Sequence, residues 1–173
     1  REIAGSTLAI GRHDLELEVP APGVYRLDAW FKGTGFDIRI ADEVPAALEF
    51  RRGKRRRPSG LMQPLFFYVP GGTRRLQFYA YFCGAIRIRN ADGKVVYDEE
   101  TQGRCVEIPV TPGQDGRMWR IGGTTSMRLR DFFFFNIPTI LSLTGEHAFV
   151  PRATAIRDGL AMVKPQPAGE EAP

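Results

Sequence analysis

Nine residues of this chain have the types and spacing to hold a polar ligand: Arg26, Asp28, Trp30, Arg39, Gln77, Tyr79, Tyr81, Arg87 and Arg89. Each falls on the less apolar side of a segment that alternates apolar and polar residues, the period-2 signature of a strand with one buried face. Trp and Tyr rings offer flat apolar surfaces to the C–H faces of a sugar, while Arg, Asp and Gln hydrogen-bond its hydroxyls. The arginines also suit an acidic glycan, because a guanidinium pairs in bidentate fashion with carboxylate or sulfate. A plainer reading stands beside this one. The rings then pack beneath loops or against a neighbouring domain, and the arginines neutralise Asp28 and Asp37. Exposure of Trp30, Tyr79 and Tyr81 separates the two readings.

Catalytic chemistry needs converging groups, and the sequence supplies few. His13 and His147 are the only histidines and lie far apart. There is no H-E-x-x-H, G-x-S-x-G, P-loop or zinc-ligand spacing. The carboxylates Asp98, Glu99 and Glu100 have the chemistry for a glycosidic bond, but a run of acids beside a turn reads first as a solvated strand edge. Asp92 reads as turn chemistry, since the D-x-D-x-D-G spacing of a calcium loop is missing. The expectation is a non-catalytic chain without metal or cofactor.

The elements that position these residues centre on Leu76 to Glu99. Asn90-Ala91-Asp92-Gly93 is a turn signal flanked by Ile86 to Arg89 and by Val95, Val96 and Tyr97, which together predict an antiparallel hairpin. In the strand-like run before it, Leu76, Phe78, Ala80 and Phe82 share one face and Gln77, Tyr79 and Tyr81 the other. Further strands are predicted at Leu15 to Val19, Val24 to Phe31, Phe36 to Ile40, Leu65 to Val69, Val106 to Val110 and Arg117 to Ile121. Pro109 marks an edge strand or a strand end. Met127 to Ile137 is expected to be a central strand, since its run Phe132 to Phe135 calls for cover on both faces. Ala46 to Phe50 fits a strand or a helical turn, and Arg152 to Val163 one short helix.

Composition narrows the class. The 43% hydrophobic and 25% charged content exclude a disordered or collagen-like chain, and no apolar run approaches the roughly 20 residues that span a bilayer as a helix. The net charge of +4 owes much to one loop, Arg51 to Arg57. That loop lacks interleaved aromatics, so nucleic acid is a weaker partner for it than solvent, an acidic neighbour or an anionic polysaccharide. Cys83 and Cys105 are read as two free, buried thiols, with one bridge between neighbouring strands left open. A start at Arg1 without a signal-peptide pattern fits a processed protein or an excised domain.

About ten short strands with turns at intervals near 8 to 12 residues describe an all-β fold, a two-sheet antiparallel β-sandwich of jelly-roll type. It is expected to span 1–150, with 151–173 as an extension ending in a flexible tail. FYVPGGTRRLQFYA, IRIRNADGKVVYDE and VEIPVTPGQDGRMWRI, within Leu65 to Leu143, resemble successive pieces of the accessory β-sandwich domains of secreted bacterial enzymes. Galactose-binding-like carbohydrate-binding modules and pre-peptidase C-terminal domains are of this kind. The resemblance implies an appended binding or stabilising domain, secreted or in the cell envelope, and transfers no ligand residues. The expected partner is a polysaccharide or oligosaccharide, with a covalently linked catalytic domain alongside. The alternative is a structural or protein-interaction sandwich that packs on a partner domain without binding sugar.

Overall fold

The computed structural model describes residues 11, 13–14, 21, 24–28, 39–40, 44–49, 64–123 and 129–161, and gives the backbone path alone at 82–84, 101–102, 123 and 129–131. The chain groups into two compact units, one of Ile38–Ala161 and one of Arg1–Asp37 with Met162–Pro173. The first is all-β and antiparallel. Its described strands are β1 (Ala47–Glu49), β2 (Leu65–Val69), β3 (Arg75–Arg89), β4 (Val95–Pro109), β5 (Arg117–Gly123), β6 (Leu129–Phe134) and β7 (Ile140–Ser142), followed by one helix, α1 (Arg152–Arg157). Hydrogen bonds link them in the order β1-β7-β2-β5-β3-β4, with β6 also paired to β3.

The hairpin β3–β4 dominates, and its turn is built as the sequence predicts. Gly93 N–H donates to the Asn90 carbonyl at 2.9 Å, and Lys94 N–H donates to Asn90 Oδ1 at 2.9 Å. Gly93 sits at φ +82°, a region that disfavours a side chain. Asp92 ties the turn to the β4–β5 loop by accepting from Gln114 Nε2 at 2.6 Å and Arg117 Nη1 at 2.8 Å. These two donors hold its carboxyl below the ordinary range.

The two runs Leu76 to Phe82 and Ile86 to Arg89 prove to be one continuous strand, bent in the middle. Ala80 pairs with Arg104 but Tyr81 with Gln102, which leaves Gly103 as an extra residue on β4 at φ +71°, the left-handed glycine of a β-bulge. Next to it, Tyr81 pairs with Gln102 and Ala85 with Glu100, so residues 82–84 of β3 face one residue of β4. Bulges raise local twist and bend the strand. The size of the bend is visible in the core: Phe78 meets Tyr97 edge-on with ring centroids 5.7 Å apart, although Tyr97 pairs with Ile88. In a straight strand Ile88 and Phe78 would lie about 33 Å apart. Beyond the bend β3 changes neighbours, pairing with β6 along Phe78–Phe82 and with β5 along Ile86–Arg89. The hairpin therefore belongs to two antiparallel sheets.

The strands share one core. Leu65, Phe67, Val69, Leu76, Phe78, Ala80, Ile86, Ile88, Trp119, Ile121, Phe132, Phe134 and Leu141 are all buried in it. Phe67 of β2 packs on Phe134 of β6 with centroids 4.8 Å apart, though the two strands share no hydrogen bond. Trp119 satisfies its indole N–H on the Gln114 carbonyl at 2.8 Å. The period-2 reading of Leu76, Phe78 and Ala80 holds, β2 forms at Leu65–Val69 as expected, and among the described residues β4 is an edge strand that ends at Pro109.

Three expectations are corrected. Residues 24–28 of the predicted strand Val24 to Phe31 form no strand and are exposed, Val24 at 85%; local bonds serve them, Tyr25 to the Ala21 carbonyl and Arg26 to Asp28. Alternation alone does not make a strand when no neighbour pairs with it. The phenylalanine run does not take a central position among the described residues, where β6 pairs only with β3. Phe132 and Phe134 are buried, Phe133 is half-buried and Phe135 is exposed, so only alternate rings are covered. Cys105, expected to be buried, is a free and exposed thiol, since its place opposite Tyr79 puts it on the outward face.

The helix α1 belongs to the same unit as the strands. It ends in a Schellman motif, with Leu160 N–H donating to the Ala155 carbonyl and Gly159 N–H to the Ile156 carbonyl, and Gly159 supplies φ +66°. The residue before that glycine, Asp158, joins the helix to the end of β2. Its Oδ2 accepts from Tyr68 O–H at 3.0 Å and from Gly71 N–H at 2.8 Å, and its Oδ1 accepts from Arg157 Nε at 2.7 Å. Among the described residues no helix is long and apolar enough to cross a membrane.

Candidate functional site

Alternation along β3 places Leu76, Phe78 and Ala80 in the core and leaves Gln77, Tyr79 and Tyr81 on the outward face. There they meet the outward residues of β6. Tyr79 pairs with Phe133, and the two rings stack at 5.4 Å with 26° between their planes. Phe135 stands edge-on to Phe133 at 5.1 Å and is 49% exposed. The result is a line of rings, Tyr79, Phe133 and Phe135, on the surface of the sheet. Phe133 and Phe135 were not among the sequence candidates.

The glycine of the bulge shapes the neighbouring part of this surface. A Cβ on Gly103 would lie 3.2 Å from Tyr81 Cδ2 and 3.3 Å from the Tyr79 hydroxyl. Both tyrosines thus lean towards a strand that has no side chain at that point. Gly103→Ala is expected to strain the backbone by roughly 1–2 kcal/mol, as left-handed alanine does, and to push both rings. A lowered urea midpoint with a changed tyrosine near-UV circular dichroism signal is the expected result.

Towards the other end of the line, the chain leaving β6 is clamped to β3. Phe135 N–H donates to the Gln77 carbonyl at 2.8 Å, Asn136 Oδ1 accepts from Gln77 N–H at 3.0 Å, and Asn136 Nδ2 donates to the Arg75 carbonyl at 2.6 Å. Gln77 Nε2 and Arg75 Nη1 both donate to Glu107, at 2.7 and 2.8 Å. Gln77 first, then Arg75, holds the Glu107 carboxyl below its ordinary range. An open cleft of about 520 Å³ begins here, between the β2–β3 turn, α1 and the Asn136–Pro138 segment. Thr73, Arg74, Arg75, Gln77, Asn136, Thr154 and Arg157 supply its polar groups, and among the described residues no carboxylate lines it. Gln77, two residues before Tyr79 on the outward face of β3, lines the cleft, and the aromatic line and the cleft are consecutive through Phe135 and Asn136.

The remaining sequence candidates lie elsewhere. Arg87 and Arg89 are on the segment of β3 that pairs with β5, beyond the bend, so their outward face diverges from that of Tyr79. Arg87 donates to Asp98 Oδ2 through Nε at 3.0 Å and Nη2 at 2.7 Å, and Arg89 Nη1 donates to the Gly93 carbonyl at 3.0 Å. Glu99 is paired with Arg104, which also donates to the Tyr97 hydroxyl at 3.1 Å. Arg26 and Asp28 belong to the other compact unit and pair at 2.8 Å. They are two residues apart, so the pair is a local one that neutralises Asp28. Arg39 is exposed and outside any strand. Trp30 and the basic loop 51–57 lie outside the described residues.

No protein-family model, curated protein or solved structure matches the chain.

Proposed function

We propose that this chain is a non-catalytic, carbohydrate-binding β-sandwich of jelly-roll type, an accessory domain of a secreted bacterial polysaccharide-processing protein. One observation carries the reading. Tyr79, Phe133 and Phe135 form an outward line of rings that runs into a polar cleft through Gln77 and Asn136. Stacked rings followed by hydrogen-bonding groups match the alternation of C–H faces and hydroxyls along a sugar chain. The sandwich supports it by fixing the line on two strands, and the clamp on Asn136 sets the spacing between rings and cleft. The carboxylates Asp98, Glu99, Glu107 and Asp158 are engaged by arginines and structural donors, which leaves them poor candidates for acid–base work. Holding a tethered enzyme near its substrate raises local concentration without chemistry.

Affinity electrophoresis of the purified 173-residue chain through gels containing neutral or acidic polysaccharides tests the proposal. Retardation is expected for the wild type, and Tyr79→Ala should weaken it about tenfold, the equivalent of about 1.4 kcal/mol. If no polysaccharide retards the wild type, the exposed rings are better read as a docking face for a partner domain.

A further inference from the structure

We infer that the cleft beside α1 binds the oxyanion group, carboxylate or sulfate ester, of an acidic glycan whose sugar rings lie on Tyr79, Phe133 and Phe135. The inference deepens the glycan reading and rests on it for the sugar, but the anion site has its own evidence. Three guanidinium groups line the cleft, and their surroundings differ. Arg75 is committed in part to Glu107, and Arg157 to Asp158, each carboxylate bonding from outside the lining. Arg74 is exposed and, among the described residues, has no side-chain partner; only its carbonyl is used, accepting from Val110 N–H at 2.9 Å. All five of its N–H donors are therefore open to a ligand.

The backbone of the turn is not what would bind the anion. Gly71 N–H already donates to Asp158 Oδ2, and Gly72 N–H to Asp115 Oδ2 at 2.7 Å. Those two carboxylates fix the turn that carries Arg74, and the Asn136 clamp on the Arg75 carbonyl fixes the start of β3 beside it. The cleft thus presents one uncommitted, planar fork on a braced turn, with Thr154 and Asn136 also in its lining. A planar fork pairs with carboxylate or sulfate through two parallel hydrogen bonds, which a lysine cannot reproduce. An acidic sugar then satisfies both parts of the surface at once.

The test uses the whole chain and separates the two claims. In affinity electrophoresis, a polyuronate and a sulfated polysaccharide should each be compared with a neutral polymer. The acidic polymers are expected to retard the wild type more strongly, and Arg74→Ala to weaken that retardation at least about tenfold, the scale of a charge-assisted bidentate pair, with neutral retardation unchanged. Arg74→Lys should recover less than half of the loss. A second arm titrates sodium glucuronate, and separately inorganic sulfate, into the labelled protein; amide shifts at Thr73, Arg74, Asn136 and Thr154 that vanish in Arg74→Ala support the anion site. Those shifts without retardation by any polysaccharide would uphold the cleft and remove the glycan reading. Equal retardation by neutral and acidic polymers, with Arg74→Ala indistinguishable from wild type, would overturn the inference and leave the glycan reading standing.

Discussion

Phe78→Ala is expected to destabilise the fold by about 3–5 kcal/mol, the usual cost of truncating a buried phenylalanine. Phe78 is fully buried and touches Tyr97, Phe132 and Phe134. Those three rings come from β4 and from β6, so the cavity would open where the bent hairpin closes on itself. Little can collapse into it, because the bend is set by the bulges at Gly103 and at 82–84 rather than by the ring. Phe133→Ala, on the opposite face of β6 and half-buried, is the control and should cost about 1 kcal/mol. Urea denaturation of the two variants decides the matter. A smaller shift for Phe78→Ala than for Phe133→Ala would mean that the two halves of the hairpin do not meet as described.

The second large effect is expected at Asp158. Its carboxylate is 5% exposed and accepts from a buried tyrosine, a turn amide and Arg157. Asp158→Ala leaves the Tyr68 hydroxyl, in a residue only 6% exposed, without its acceptor, and should cost about 2–3 kcal/mol. The same bonds give stability a pH dependence at both ends. Arg157, with Gly71 N–H and Tyr68 behind it, holds the Asp158 carboxyl below the ordinary carboxylate range. A depressed folded value means that this stability is complete above the unfolded value, near pH 4, and is lost as pH falls through the folded one. Burial first, and then the Asp158 carboxylate, pushes the Tyr68 hydroxyl up to about 12 from its ordinary 10.0. A raised folded value gives stability that is complete below pH 10 and lost as pH climbs towards 12. Melting temperature followed across both windows should fall at each end in the wild type. In Asp158→Ala the acid-side fall is reduced and the alkaline one shrinks. Identical profiles in the two proteins would show that Asp158 is not the anchor of α1.

What the sequence made legible was local. Asn90 to Gly93 carries its turn in its residue types, and the start of β3 carries its buried face in strict alternation, so both are found where expected. Gly103 is a single glycine in a polar stretch, and nothing around it announces a bulge that turns one strand into a member of two sheets. Four consecutive phenylalanines contain no alternation to read. Which of them faces out follows only from the register of Phe133 against Tyr79. The cleft is least legible of all, because it forms where Gly71 meets Asp158, 87 residues away. The proposed face therefore kept Gln77 and Tyr79 from the sequence candidates and gained Phe133, Phe135 and Asn136 from the fold. Arg87 shows the converse: its register opposite Asp98 gives it a structural partner on its own hairpin.

The most direct test of the central claim, that the outward rings of β3 and β6 are a sugar-binding face, is amide chemical-shift mapping of the chain against an oligosaccharide cut from whichever polysaccharide retards it. Perturbations concentrated at Gln77, Tyr79, Phe133, Phe135 and Asn136 are expected, and they should be lost in Phe135→Ala while the remaining spectrum is preserved. A spectrum unchanged by the oligosaccharide, or perturbed only around Arg87 and Arg89 on the other sheet, would contradict that claim.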